Sequence, residues 1–174
     1  MLRRTSGIIV VAAVSVLGEA RVAASVATIT LMELAERAEF IGIVRVDRIR
    51  GGIPFLRRPR ATATILESWK GQAQGKVTFV AAPTWICDIS DAKSGEEAVV
   101  FVRDGSLLHA GRGRMPIFAR DGRRLAAIWP DVRLPAGVIT EEGPEPEYRF
   151  IRGVGVIDLQ NAIAKLSSAV SDTR

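Results

Sequence analysis

The chain has 174 residues, a formal net charge of +5 and apolar residues at 48% of its positions, which excludes a disordered protein and fits one globular domain. Aromatic residues reach 6%, which is few for stacking on bases and argues against nucleic acid as a ligand. With one cysteine, Cys87, and one histidine, His109, the chain can form neither an internal disulfide nor a Cys/His zinc site. We therefore predict no cofactor and no metal centre.

The N-terminal segment, residues 1–27, has the pattern of a secretory signal peptide. Two arginines near the start precede an uncharged apolar run over 7–18, and small residues flank two possible cleavage points, after Ala24 and after Ala27. A membrane anchor is the alternative, but the run is much shorter than the roughly 20 residues that a spanning helix needs. We expect a cleaved signal peptide, an extracytoplasmic protein (periplasmic or secreted) and no transmembrane segment in the mature chain.

The first element after this segment is a short amphipathic helix. Thr30 and Glu33 have the spacing of a capping box, in which each side chain accepts from the other residue's backbone N–H. Apolar residues then recur at helical spacing from Leu31 to Ala38. The helical spacing of apolar residues stops after Ala38, so the helix is predicted to end near Glu39.

A series of short strands follows the helix. Alternating apolar residues predict half-buried strands, and the continuous apolar run over 97–103 is typical of a strand buried on both faces. The Asp-Gly pairs at 104–105 and 121–122 are signals for hairpin turns. The predicted strands cover 41–49, 61–69, 76–82, 97–103, 107–110, 115–119, 125–129 and 148–151.

The C-terminal part of the chain returns to helix. A loop rich in Pro, Gly and Glu covers 130–146. Beyond it, Val156, Leu159, Ile163 and Leu166 keep the 3-4-3 spacing of one apolar helix face. This face should pack on the sheet.

These elements predict a mainly β protein. The expected fold is an OB-like curled sheet or barrel of about five to eight strands, with a short N-terminal helix and a C-terminal helix. A single β-rich domain covers 28–166, and residues 167–174 form a frayed tail.

Motifs of turns and strands spread over about 30–166 carry a family resemblance. They comprise 30–31, Leu34 and Ala38 leading into 41–44, then 61–63, Leu66, 69–71, 95–101, 111–115, 121–122 and 155–159 with Ile163. This succession resembles a group of small secreted bacterial proteins whose body is similar to the OB barrel of the netrin-like and tissue-inhibitor-of-metalloproteinase modules. The resemblance implies a fold. It does not imply protease inhibition, because those modules bind the protease zinc through an N-terminal Cys, which neither Ser25 nor Thr28 can replace.

Three motifs have both a chemical and a structural interpretation. Ser68 and Lys70 share a strand face and could form a nucleophile–base pair, or they could simply end a strand. His109 could act as a general base or be a half-exposed strand histidine. The glycines of 111–114 could cradle a phosphate, but the segment lacks the full nucleotide fingerprint and favours a turn with solvated arginines. We predict no catalytic residue.

Three further features have open interpretations. The carboxylates of 141–147 could hold a hard cation such as Ca²⁺, although their spacing fits no known calcium loop and favours an exposed acidic loop. Cys87 is a buried apolar residue, an intermolecular disulfide partner or a reactive thiol. Trp69, Trp85 and Trp129 belong either to the core or to the rim of a binding surface.

Arginines are concentrated in two segments of the chain. If these segments are neighbours in the fold, they form a surface that attracts polyanions, and otherwise they are a scattered solvated surface. The first segment holds Arg45, Arg48, Arg50, Arg57, Arg58 and Arg60, and the second holds Arg112, Arg114, Arg120, Arg123 and Arg124. The candidate binding surface combines the first group with Arg112, Arg114 and Trp85.

The sequence favours a non-catalytic extracytoplasmic binding or assembly module whose protein partner it does not identify. A binder of polyanions or of membrane surfaces, acting through the arginine-rich segments, is the second hypothesis. A small secreted hydrolase that uses Ser68 and Lys70 or His109 is the third. The sequence predicts no particular oligomeric state.

Overall fold

The computed structural model describes residues 27–51, 58–71, 74–81, 91–144 and 151–171. Several sequence predictions fall outside these residues and concern the signal peptide over 1–26, Arg57, Trp85, Cys87, Glu145, Glu147 and the end of the tail over 172–174.

Strands dominate the described part of the chain. The sequence of elements is β1 (Ile29–Thr30), α1 (Leu31–Arg37), β2 (Phe40–Arg50), β3 (Arg60–Lys70), β4 (Lys76–Val80), β5 (Glu97–Arg103), β6 (Ser106–Leu107), a 3-10 turn (His109–Gly111), β7 (Arg114–Arg120), β8 (Arg123–Ile128), β9 (Val132–Arg133), β10 (Glu141–Glu142), β11 (Arg152–Gly155) and α2 (Val156–Ser171).

Nine of these strands form one antiparallel sheet in the order β10-β11-β8-β7-β5-β2-β3-β4, with β6 beside β5. The short strands β1 and β9 form a separate parallel pair. The mainly β class, with one short N-terminal helix and one C-terminal helix, is therefore confirmed. Among the described strands the sheet has more members than the five to eight expected. It is also open, because its two ends do not pair, so the barrel alternative is not observed.

Helix α1 begins at the predicted capping box. The Glu33 N–H donates to the Thr30 hydroxyl at 3.1 Å, and the Thr30 N–H donates to the Glu33 carboxylate at 2.9 Å. The same bond to the backbone lowers the pKa of Glu33, and the Thr30 hydroxyl, which donates to the carboxylate at 2.9 Å, adds to the effect. Leu31 and Leu34 are fully buried, so the predicted apolar face of this helix packs into the core.

The sheet has an apolar core on each of its faces. On one face, α1 and α2 cover a cluster that includes Ile41 and Ile43 of β2 and Phe101 of β5. On the other face, Val44 and Val46 of β2 pack with residues of β3 and β4. Successive residues of a strand point to opposite faces, so the apolar run of β2 contributes to both clusters. This explains why its first half reads as continuously apolar.

Both Asp-Gly pairs form hairpin turns with the left-handed backbone that the turn type requires. The φ angles are 50° and 64° at Asp104 and Gly105, and 49° and 74° at Asp121 and Gly122. The strand predicted over 107–110 is wrong beyond Leu107. The chain instead enters the 3-10 turn, because it must curve back before it can pair with β5 again as β7.

Strand β11 and helix α2 are the last two elements of the described chain. The predicted strand over 148–151 falls largely outside the described residues, and the described strand is β11. Helix α2 follows directly, with Leu159 and Ile163 buried as their spacing predicted. It continues to Ser171, into the region where fraying was expected. Within the described residues, neither helix is long and apolar enough to cross a bilayer.

Candidate functional site

One face of strand β2 changes from apolar to cationic along its length. Ile41 and Ile43 lie beneath the helices, and Arg45, the next residue on that face, is exposed. On β5 the corresponding residues are Phe101, Val99 and Glu97, which lie opposite Ile41, Ile43 and Arg45. The helical layer thus covers one half of this sheet face and leaves the other half open.

Cross-strand pairing assigns four arginines to the open half. Arg45 lies opposite Thr64, Arg48 opposite Thr62 and Arg50 opposite Arg60. Residues that are directly opposite share a face, as do alternate residues of one strand. The opposite side of β3 carries the buried residues Ala61 and Ala63. We call Arg45, Arg48, Arg50 and Arg60, all exposed, the cationic face.

A β-bulge at Asp47 brings Arg48 and Arg50 onto the same sheet face as Arg45. The pairing of β2 with β3 shifts between Val46 and Arg48, so Asp47 has no directly opposite residue. Its carboxylate accepts from Lys76 Nζ at 3.0 Å and from the Thr64 hydroxyl at 2.9 Å. The Lys76 bond, followed by the Thr64 bond, lowers the pKa of Asp47. This acid therefore neutralises Lys76 and leaves most of the arginine charge uncompensated.

Arg50 and Arg60 are like charges that face each other across two strands. This arrangement is destabilising by up to about 1 kcal/mol compared with a neutral pair. Arg60 donates through Nη2 to the carbonyl oxygen of Gly105 at 3.1 Å, which orients its guanidinium. Within the described part of the chain, neither Arg48 nor Arg50 has an ion-pair partner. Arg58 is exposed just before β3 but lies outside the paired rows.

The second arginine segment is placed differently, because its members are engaged in the fold. Arg114 is 2% exposed and forms an ion pair with Glu96, so it is not part of a surface. Arg112 binds Asp131 at 2.8 Å and stacks on Trp129 with 4.6 Å to the ring centroid. The remaining partners are the Glu142 and Gly143 carbonyls for Arg120, Glu141 for Arg123 and Glu97 for Arg124.

The two arginine segments meet at Glu97. This residue lies opposite Arg45 and accepts from Arg124 Nη2 at 2.8 Å. Arg124 also lines a cavity of about 620 Å³ between the β7–β8 turn and the start of α2. Glu67, Arg123 and Gln160 contribute polar groups to the same cavity. The cationic face therefore ends at a cavity beside the helix layer.

Lys70 and His109 both make structural hydrogen bonds. Lys70 Nζ donates to the carbonyl oxygen of Ala35 at 2.7 Å, at the C-terminal end of α1, where a cation is favoured. The prediction that Ser68 shares a face with Lys70 is wrong. The register of β2 and β3 shifts so that Lys70 lies opposite Ile41 and Ser68 opposite Gly42, and these successive residues of β2 point to opposite faces. His109 belongs to the 3-10 turn and not to a strand, and its Nε2 lies 2.5 Å from the Ala27 carbonyl oxygen.

Packing explains the glycine-rich segment and the positions of Trp69 and Trp129, the two tryptophans among the described residues. A Cβ at Gly113 would lie 2.8 Å from the Phe101 carbonyl oxygen, so glycine is required for contact between strands. Trp129 is buried, and Trp69 is half-buried with its Nε1 donating to Glu67 at 2.9 Å. Among the described residues, no group of three or more His, Cys, Asp or Glu side chains could hold a metal ion.

Comparison of the chain with models of protein families, with curated proteins and with solved structures finds no match. The alternation of Arg and Thr with Ala over 60–64 is the sequence signal that separates a cationic side of β3 from a buried side.

Proposed function

We propose that the protein is a non-catalytic extracytoplasmic module that binds a polyanion through the cationic face. The observation that carries this proposal is the presence of four exposed arginines on one half-open sheet face, including the opposed pair Arg50 and Arg60. An anion between two like charges relieves their repulsion and gains charge-assisted hydrogen bonds. The location outside the cytoplasm rests on the signal-peptide pattern of residues 1–27.

The other charged groups near this face support the same proposal. Asp47 is engaged by Lys76, and Glu97 is engaged by Arg124. Each acid therefore has its own cation, and the arginines of the face remain in excess. A surface with a net excess of one charge attracts partners of the opposite charge and accelerates their binding.

The bonding of Lys70 supports the non-catalytic part of the proposal. A Ser–Lys nucleophile requires a lysine that is neutral and free to take a proton. Lys70 Nζ is instead used by the carbonyl oxygens of Ala35 and Glu36, at 2.7 and 3.3 Å. These hydrogen bonds hold the Lys70 side chain at the C-terminal end of α1 and give it a structural role.

The test compares two double variants of equal charge. Arg48→Ala with Arg50→Ala removes half of the cationic face, and Arg103→Ala with Arg133→Ala removes two exposed arginines elsewhere. Binding to an immobilised sulfated polysaccharide is measured by a titration at about 0.1 M salt. Loss of two contacts should weaken binding about 20-fold in the first variant, by the counterion-release relation. The control should remain within about twofold of the wild type. Equal losses in both variants would reject a specific face.

A further inference from the structure

We infer that the polyanion is a linear acidic polysaccharide, a chain of sugars bearing carboxylates or sulfates, that lies along β2. This inference rests on the proposed function and adds the chemical class of the ligand. It is drawn from three features of the cationic face: its step-like shape, its interleaved hydroxyl groups and the polar cavity at one end.

The shape of the face favours a narrow ligand. Helices α1 and α2 cover the end of the sheet face that carries Ile41 and Ile43. The end from Arg45 to Arg50, which carries the cationic face, is not covered and therefore lies lower than the helices; we call this uncovered surface the floor. A helix layer is about 10 Å thick, so it forms a step of that height beside the floor. A flat bilayer cannot touch the helix layer and the floor together, whereas a flexible chain can lie on the floor along the step.

The floor offers hydroxyl groups between its cations. Thr62 lies opposite Arg48 on one side and opposite Thr78 on the other, so the three residues form one cross-strand row. The side chains of Thr62 and Thr78 are half-buried and make no hydrogen bond with a described residue. Each hydroxyl can donate once and accept twice. Such a row matches a polymer that alternates anionic groups with hydroxyls.

The length of the floor also fits an extended polymer. The five-residue step from Arg45 to Arg50 along β2 spans about 17 Å at the usual strand rise. At the Arg45 end, Glu97 and Arg124 lead to the cavity of about 620 Å³, where Gln160 adds an amide. The lining combines the cations Arg123 and Arg124 with the carboxylates of Glu67 and Asp158, so the cavity is polar and not purely cationic. A polymer that carries hydroxyl groups as well as anions can continue from the floor into such a space.

Single-stranded nucleic acid fits this face less well. Its usual binding sites combine a positive groove with aromatic side chains on which the bases stack. The rows of the face contain Arg, Lys, Thr and Val and no aromatic residue among the described positions of β2, β3 and β4 that share it. Recognition here therefore depends on charge and on hydroxyl groups.

The experiment uses a variant that removes hydroxyls and keeps charge. Thr62→Val with Thr78→Val preserves the β-branched shape and strand preference and leaves every arginine in place. Wild type and variant are titrated with alginate, a uronic acid polymer, and with inorganic polyphosphate at the same salt concentration. Anionic vesicles and single-stranded DNA serve as two further ligands for the wild type.

The inference predicts that the variant loses about 5- to 10-fold in affinity for alginate, while its affinity for polyphosphate stays within about twofold. It also predicts that the wild type binds alginate more tightly than vesicles or DNA. Equal loss for both polymers, no loss for either, or tighter binding of vesicles or DNA would overturn the polysaccharide inference and leave polyanion binding intact. Failure of the wild type to bind any of the four ligands would overturn both.

Discussion

Arg50 of β2 and Arg60 of β3 lie directly opposite each other on the open half of the sheet face. A protein that needed only stability would favour opposite charges at this pair of positions, since like charges facing each other across two strands are destabilising. The pair is therefore the clearest place at which stability and binding can be separated by experiment.

The variant Arg50→Glu should raise stability and weaken binding. The new carboxylate would lie opposite Arg60, and replacement of repulsion by attraction should increase the free energy of unfolding by about 0.5 to 1 kcal/mol. Affinity for polyanions should fall by more than 20-fold, because one contact is removed and a repulsive charge is added. Urea unfolding and a polyanion titration measure the two effects. A variant that is both less stable and equally active in binding would contradict the account.

Neutralising Asp47 should strengthen polyanion binding. Asp47 holds Lys76 at 3.0 Å, so Asp47→Asn releases one ammonium and removes one negative charge from the face. Affinity should rise about fivefold near 0.1 M salt, as expected for one additional contact. Lys76→Gln in the Asp47→Asn background is the control and should cancel the gain. An unchanged or lower affinity in the single variant would show that Asp47 does not limit the charge of the face.

Lys70 should matter for stability and not for binding. Lys70→Met removes a charged donor from the carbonyl oxygens at the end of α1 and should lower the free energy of unfolding by about 1 to 2 kcal/mol. Lys70→Arg should recover part of this loss, because it keeps a cation at the helix terminus. Thermal unfolding and the polyanion titration are the measurements. Loss of binding with unchanged stability would place Lys70 in the functional site instead.

The capping box should make part of the stability depend on pH in the acid range. The Thr30 backbone N–H and hydroxyl lower the pKa of Glu33 below 4.5. A lowered folded pKa contributes stability that is present above the unfolded pKa and is lost as pH falls through the folded pKa. Glu33→Gln keeps an acceptor for Thr30 but cannot titrate.

The stability difference between wild type and Glu33→Gln should therefore shrink as the pH is lowered from 6 to below the lowered pKa of Glu33. Unfolding temperatures measured across this range for both proteins test the expectation. A difference that stays constant with pH would mean that the Glu33 carboxylate has the same pKa in the folded and unfolded chains.

Local patterns in the sequence were sufficient for the elements near each turn and cap. The capping box at Thr30, the Asp-Gly turns and the apolar spacing of α2 all depend on residues close together in the chain. The prediction of a strand over 107–110 was wrong beyond Leu107. The path of the chain there depends on the pairing of β7 with β5, which joins residues that are distant in the sequence.

The cationic face could be predicted only in part. The clustering of arginines is visible in the sequence, but their separation into exposed and engaged groups depends on contacts between distant strands. Arg114 and Arg48 are the same residue type, yet Arg114 is buried because β7 brings it to Glu96, and Arg48 is exposed beyond the edge of the helix layer. Similarly, the opposition of Arg50 and Arg60 follows from the register of β2 and β3.

The most direct test of the central claim is the salt dependence of polyanion binding by the wild type and by the double variant Arg48→Ala with Arg50→Ala. The affinity is measured at several salt concentrations, and its logarithm is plotted against the logarithm of the salt concentration. The account predicts a slope that is smaller in magnitude by about 1.4 in the variant, because each lost arginine contact removes about 0.7. Identical slopes for the two proteins would show that these arginines do not contact the polyanion, and the cationic face would not be the binding site.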